Sequence, residues 1–473
     1  MTDAGRPRSD DAPPSARGDE GFGLGTATFV IVSSMIGVGV LTTSGHTVLK
    51  LGSNQLMLAL WAVGGAVALC GALSLAEISA SLPRSGGEYA IFREAYGPLP
   101  AFLAGWVSFQ FGFSAPIAAA ASAASGYLLA PIALDPGAER LARPALATLA
   151  ILAFAAIHCS GHARSVRLQG TATLLELGFL VAFVLAGLIA GRSNWANLDD
   201  RPPMGGRSAV DLLFALIYVS YGYTGWNAAS YLAGEVGDAP RRLPRAILLG
   251  TALVTLLYLA LNAVYALALP ARLIRDLAAA GGTGAVEPIA QLAAARLFGP
   301  RWADRLSIGV GLILLSTLSA YLLTGPRVTL AMARAGHFPA IAGRISPRTG
   351  TPVVATALQA GWALVLLWSG SFEAIVLYAG VGLSLTSIFS VAAVYVLRRR
   401  QPGLARPFRV PGYPWVPAVY LGATAALTVA VLAEEPFVAT CSFLSILAGW
   451  PIYAVMAGHR ARGDRQASPT PAD

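Results

Sequence analysis

The sequence predicts an all-α polytopic membrane protein on three observations. Of its 473 residues 55% are hydrophobic, only 12% are charged, and apolar runs of about 20 residues recur along the whole chain. Mean hydropathy is +0.62. A soluble domain carries roughly a quarter of its residues as charges. The 51 Gly and 30 Pro are dispersed without a low-complexity tract, which points to an ordered bundle rather than a collagen-like or disordered chain.

Apolar stretches in the first half fall at 22–47, 56–79, 99–131, 144–160, 169–191 and 210–233. The second half adds 245–269, 305–326, 352–370, 373–397, 415–433 and 436–457, so twelve transmembrane helices are expected. The first run is too long for a signal-peptide core and lacks a small-residue cleavage site, so it is expected to stay as a span. The chain divides into a polar tail at 1–20, a ten-helix core at 21–397, a basic loop at 398–414, helices 11 and 12 at 415–457, and a second tail at 458–473.

The net charge of +9 comes from 33 basic and 24 acidic residues. Twenty-two of the 33 fall in the two tails and the loops on the same side, which predicts cytoplasmic termini and a multi-pass protein of the cell's inner or plasma membrane. Loop retention and anionic lipid headgroups account for this charge without nucleic acid. The cysteines Cys70, Cys159 and Cys441 stand singly in or at the end of apolar stretches, with no metal-ligand spacing. No metal and no cofactor is expected.

In hydrocarbon a helix interruption is tolerated only where protein or a water-filled cavity pairs the freed backbone groups. Ser33-Ser34-Met35-Ile36-Gly37-Val38-Gly39-Val40-Leu41-Thr42-Thr43-Ser44-Gly45 holds a helix poorly, with two glycines around a β-branched residue. Val219-Ser220-Tyr221-Gly222-Tyr223-Thr224-Gly225-Trp226-Asn227 interrupts the sixth span in the same way. The two breaks lie five helices apart, as in a five-plus-five inverted repeat whose helices 1 and 6 are discontinuous, with two further helices at the C-terminal end. The N-terminal end of a half-helix suits a carboxylate, and the carbonyl end of its partner suits an ammonium. A zwitterionic α-amino acid matches both. Singly, each glycine pair is equally explained by close helix packing. The Gly21, Gly23 and Gly25 run has the wrong spacing for a dinucleotide loop and no preceding strand.

These segments resemble the amino acid-polyamine-organocation permeases. Ser34-Met35-Ile36-Gly37-Val38-Gly39-Val40 is similar to the family's first-helix motif, and Pro83-Arg84-Ser85-Gly86-Gly87-Glu88-Tyr89 with Glu94-Tyr96-Gly97-Pro98 to its loop between spans two and three. Gly225-Trp226-Asn227, Ala233-Gly234-Glu235-Val236 and Arg242-Leu243-Pro244-Arg245 resemble its sixth span and the loop after it. Arg327 to Pro339, then Gly350-Thr351-Pro352, resembles the loop between spans eight and nine. The resemblance covers roughly 22–400. It implies amino-acid transport by alternating access, with substrate held around Ile36, Gly37, Val38 and Gly39, and with Tyr221, Tyr223, Gly225 and Trp226 as wall or gate.

Glu176 stands well inside the otherwise uncharged fifth span. An ionised side chain at that depth costs about 2.5 to 3.5 kcal/mol even on lenient scales, which marks functional positions. The family resemblance implies a lysine near this position, so the sign is reversed here. Glu176 is expected either to carry a proton or to ligate a cation such as sodium with Ser316 or Ser319; a permanently neutral structural glutamate is the plain alternative. His158 reads as a satisfied histidine at the end of span four, and Glu77 as the partner of a loop arginine. Gln110 and Asn262 are left between backbone bonding and pathway lining.

The function expected is secondary active transport of an amino acid, coupled to protons, with ion-free exchange or a non-transporting amino-acid sensor as alternatives. A membrane hydrolase would need paired intramembrane aspartates, a Ser–His pair or a zinc constellation, and a channel would need charge rings or a carbonyl filter. Neither pattern is visible, so no enzyme is expected. Oligomeric state is left open.

Overall fold

In the computed structural model the first apolar stretch stops being helical where β-branched Ile36 meets Gly37. Helix α1 (Leu24–Met35) ends there, with Ile36 extended at φ −69°, ψ 128°. The helix resumes as a π-turn at Gly39–Thr43 and continues as α2 (Ser44–Leu51). Thr42 and Thr43 bond back to the carbonyls of Val38 and Gly39 at 2.6 and 2.8 Å, satisfying groups that a wide turn leaves exposed. The structure describes residues 23–82, 87–132, 134–189, 193–199, 209–231, 233 and 236–456. Both predicted tails, Arg84 and its neighbours at 83–86, and Gly234 and Glu235 lie outside them, as do the side chains of Arg164 and Arg167.

Helix α3 (Asn54–Ser81) starts on a Ser53 cap. It is followed by the amphipathic α4 (Gly87–Tyr96), then α5 (Pro98–Val107), a π-turn at Ser108–Ser114 and α6 (Ala115–Leu129). The wide turn was not expected from the sequence. It holds because the Ser114 hydroxyl bonds the Phe109 carbonyl at 2.9 Å and Gln359 reaches the same carbonyl at 2.8 Å. Helices α7 (Pro136–Cys159) and α8 (His162–Ile189) complete the first half.

The second half opens with α9 (Ala209–Gly222), a turn at 223–227 and the one-turn α10 (Ala228–Tyr231). Then come α11 (Ala239–Ala268), α12 (Ala271–Gly281), α13 (Ile289–Phe298), α14 (Pro300–Arg334), α15 (Val353–Ser369), α16 (Phe372–Arg400), α17 (Trp415–Glu434) and α18 (Pro436–Leu447). The long connection between the seventh and eighth apolar stretches folds into α12 and α13. Ala271 and Ile274 of α12 are buried, while its arginines Arg272 and Arg275 stay outside, a 3.6-residue pattern too short to stand out in a scan for spans.

Among the described residues there is no β-strand, and ten helical stretches are long and apolar enough to cross a membrane. Two of the twelve predicted stretches, the sixth and the ninth, coincide with shorter apolar helices, Asp211–Gly222 and Val353–Ser369. The sixth is short because the 223–227 turn interrupts it. Packing centres on α11 against α3 and α1, and on α14 against α6, α8 and α13. α17 lies along α16 and α3.

Candidate functional site

The two breaks touch. A Cβ on Gly39 would stand 2.2 Å from the Cα of Gly222, and one on Gly225 would stand 2.3 Å from the Ser34 carbonyl oxygen. Gly225 also has φ +104°, a conformation that costs little only for glycine. Both contacts are backbone on backbone, so neither position accepts a side chain without moving a helix end. The Met35 carbonyl, freed by the break, accepts a hydrogen bond from Tyr258 at 2.6 Å, and the Leu41 carbonyl accepts one from Tyr127. The segment restarting at Val38 leaves its first amides without acceptors in its own helix.

A cleft opens on the α9 side of this junction, between α3, α9, the 223–227 turn, α16 and α17. Tyr221, Tyr223, Gly225 and Trp226 all line it. Tyr223 is anchored by its hydroxyl on the Trp61 carbonyl at 2.9 Å, and its ring leans on Trp61 and Tyr258. Trp226 stands edge-on to Tyr420 of α17, centroids 5.8 Å apart. Ile36, Gly37, Val38 and Gly39 are buried and stay out of the cleft wall; Gly37 faces Thr317 of α14 and Gly39 faces Gly222 of α9 instead. The residues expected at the site therefore form two halves that share the Gly39–Gly222 contact.

Glu176 is 2% exposed and faces α14. Ser316 and Thr317 donate to its two carboxylate oxygens at 3.3 and 3.4 Å. Ser316 had been singled out from the sequence. Thr317 had not, although it adjoins it, and it makes a second contact: its methyl carbon would lie 2.9 Å from a Cβ on Gly37. One threonine thus bridges the buried acid and the first break. Ser319 turns elsewhere, to His158 on α7, with its oxygen 2.9 Å from Nε2. A helix separates Ser316 and Ser319 by three residues, about 300° of rotation, and here the small angular difference directs them to different neighbours.

The remaining polar groups sort by partner. Glu77 is clamped by Arg398, at 2.8 and 2.6 Å, and by the Val410 amide at 2.7 Å. Gln110 donates to the Ser445 carbonyl and accepts from Tyr378, and Asn262 donates to the Tyr258 carbonyl. Two cleft features escaped the sequence reading. One is α17, a helix outside the expected repeat that contributes Tyr420, Thr424 and Thr428. The other is Glu88 of α4, which accepts from Asn227 at 3.1 Å and Ser390 at 3.5 Å. Burial pushes the Glu88 carboxyl up to about 7, against the opposing pull of these bonds. No cluster of His, Cys, Asp and Glu suited to a metal ion occurs among the described residues.

Two glycine-rich helix breaks in backbone contact, in a bundle of membrane-length helices, are a feature of membrane carriers. The amino acid permease family model matches residues 22–455, and the chain belongs to that family, within the amino acid-polyamine-organocation permeases. Similar proteins include the human large neutral amino acids transporter small subunit 2, 28% identical over 94% of this chain and 83% of that protein. The human Asc-type amino acid transporter 1 is 28% identical over 91% of this chain and 81% of its own length. The human cystine/glutamate transporter is 26% identical over 90% and 82%.

Proposed function

We propose that the chain is a secondary active transporter that moves amino acids across the cytoplasmic membrane by alternating access. All twelve apolar stretches cross the bilayer in this reading, α1 to α8 and α9 to α16 form the two inverted halves, and both termini face the cytoplasm. The observation that carries it is the backbone contact between the two breaks, Gly39 on Gly222 and Gly225 on Ser34. Such a junction offers unpaired amides and carbonyls to a zwitterion without a charged side chain. The substrate carboxylate is held on the amides of Gly37, Val38 and Gly39, its amine on carbonyls of the two broken helices, and its side chain against Tyr221, Tyr223, Gly225 and Trp226. The amino-acid transporters among its relatives support the substrate class.

Glu176 is the coupling residue. It carries a proton, or holds a cation with Ser316 and Thr317; Ser319 belongs to this group only if it leaves His158 during the cycle. Thr317 passes the state of the acid to the break at Gly37. A second reading, exchange of one amino acid for another without an ion, is favoured by the similarity to a protein whose name carries two amino acids, the cystine/glutamate transporter.

Uptake of labelled amino acids into empty proteoliposomes, with and without an inside-alkaline pH gradient and without sodium, tests the function. Accumulation above equilibrium only with the gradient is the expected result. Entry only after preloading with amino acid moves the assignment to exchange, and no entry under either condition overturns transport. Trp226→Ala is expected to weaken substrate affinity about tenfold, the equivalent of ~1.4 kcal/mol; unchanged affinity and selectivity would remove Trp226 from the gate.

A further inference from the structure

Glu88 sits where four segments of the chain meet. It opens α4, the helix between α3 and α5, on the face that the arginine distribution assigns to the cytoplasm. Its carboxylate is 5% exposed and lines the cleft. It accepts from Asn227 in the turn after α9 at 3.1 Å and from Ser390 of α16 at 3.5 Å, and the hydroxyls of Tyr231 of α10 and Ser108 of the π-turn before α6 face it as further donors. Asn227 and Tyr231 bracket the restart of the sixth span. Tyr231 is held to α4 a second time, because its ring carbon lies 2.4 Å from where a Cβ on Gly87 would be. All four partners are neutral donors, and only an ionised carboxylate has enough lone pairs to accept from all of them at once.

We propose that Glu88 is a positioning residue for the broken sixth span: its carboxylate clamps the 223–227 turn and α10 onto α16 and the π-turn, and so closes the cleft on its α4 side. The inference rests on the transport reading and adds to it a gate residue that lines the cleft, which Glu176 does not. A protonated Glu88 loses acceptor capacity, so the clamp holds when the carboxylate is ionised and loosens as pH falls through about 7. The titratable groups that face it among the described residues are Tyr231 of α10 and Tyr420 of α17, both neutral near that pH. The clamp is thus tuned by one acid: burial raises its midpoint, and the donors around it, Asn227 and Ser390 foremost, pull it back down.

The test is the accessibility of the cleft. In full-length protein with Cys70, Cys159 and Cys441 replaced by Ala, a Ser384→Cys reporter in the cleft wall is labelled with a thiol reagent from the face carrying α4, at a series of pH values corrected for thiol ionisation. Labelling is expected to speed up severalfold as pH falls through about 7. Glu88→Gln mimics the neutral acid and should label fast at every pH. Ser390→Ala removes one bond that favours the ionised form and should move the midpoint upward. An unchanged pH dependence in Glu88→Gln, or a midpoint that does not move in Ser390→Ala, overturns the proposal. If these variants do not fold, the maximal uptake rate of the wild-type protein against pH on that face supplies the readout, and a flat profile across neutrality overturns it too. A wild-type protein that moves no amino acid but keeps the pH-dependent labelling sinks the transport reading alone. Amino-acid transport with Glu88→Gln indistinguishable from wild type sinks the clamp alone.

Discussion

Glu77 and Glu176 are equally buried, at 3% and 2% exposure, yet their surroundings differ in kind. Glu77 lies at the loop end of α3 between Arg398 and the Val410 amide, with Arg406 a further 3.6 Å ion pair. Every one of its contacts is a donor, two of them cationic. Glu176 has two hydroxyls at 3.3 and 3.4 Å, contacts loose enough to serve either protonation state. Burial alone therefore says little about a carboxylate's role. The charge of its partners separates a strut from a group that can change state.

The largest effect should come from breaking the strut. Glu77→Ala leaves two arginines and a backbone amide facing each other without their acceptor, and is expected to cost about 3 kcal/mol, the low end for a buried pair because Arg398 keeps 23% exposure. Thermal unfolding in detergent or nanodiscs measures it. Arg398→Ala should cost less, since Arg406 and the Val410 amide still hold the acid. If both variants melt like wild type, the strut is an ordinary surface pair and the comparison collapses.

Glu176→Gln comes next, and its effect should be functional rather than structural. Gln keeps the shape and can still accept from Ser316 or Thr317, so folding is expected to change by about 1 kcal/mol or less. Uptake should lose its dependence on a pH gradient. Retained gradient dependence in a well-folded Glu176→Gln protein would return Glu176 to a structural role, and a loss of stability on the scale of Glu77→Ala would make it a second strut.

Much of this was legible beforehand, for physical reasons that differ by region. The helix breaks could be read because glycine beside Ile36 and Val38, or beside Tyr221 and Tyr223, contradicts helical propensity inside a long apolar run, and few other signals compete there. Glu77 and Glu176 were legible from cost alone, as acids in hydrocarbon. The partner of Glu176 on α14 was only half legible. Ser316, Thr317 and Ser319 are all hydroxyl residues on one helix, and their directions depend on the rotation of α14 against α7 and α8. The π-turn at Ser108–Ser114 and the place of α17 in the cleft were hidden for a related reason: each depends on a distant neighbour, Gln359 for the turn and Trp226 for Tyr420. Glu88 was visible as a letter in a loop motif, but its role needs Asn227, Ser390 and Tyr231, which lie more than 130 residues away.

The smallest effect is the one that sharpens the comparison most. Ser316→Ala and Thr317→Val each remove one hydroxyl from Glu176, and the valine preserves the methyl that faces Gly37. Ser319→Ala removes a hydroxyl of the same helix that instead meets His158. Each loses one neutral hydrogen bond, so all three should destabilise by a similar ~1 kcal/mol or less. Stability cannot tell them apart, but coupling can. Uptake driven by an imposed proton or sodium gradient should be altered in Ser316→Ala and Thr317→Val and match wild type in Ser319→Ala. The Thr317 variant carries the sharper consequence, because its hydroxyl links the acid to the break while its methyl keeps the packing: a change in gradient dependence with substrate affinity retained would trace the coupling route through that oxygen. Equal effects of all three substitutions would mean that the face of α14, rather than the pairing with Glu176, sets the coupling, and the distinction between a strut and a switch would have to be sought in the helix instead of in the acid.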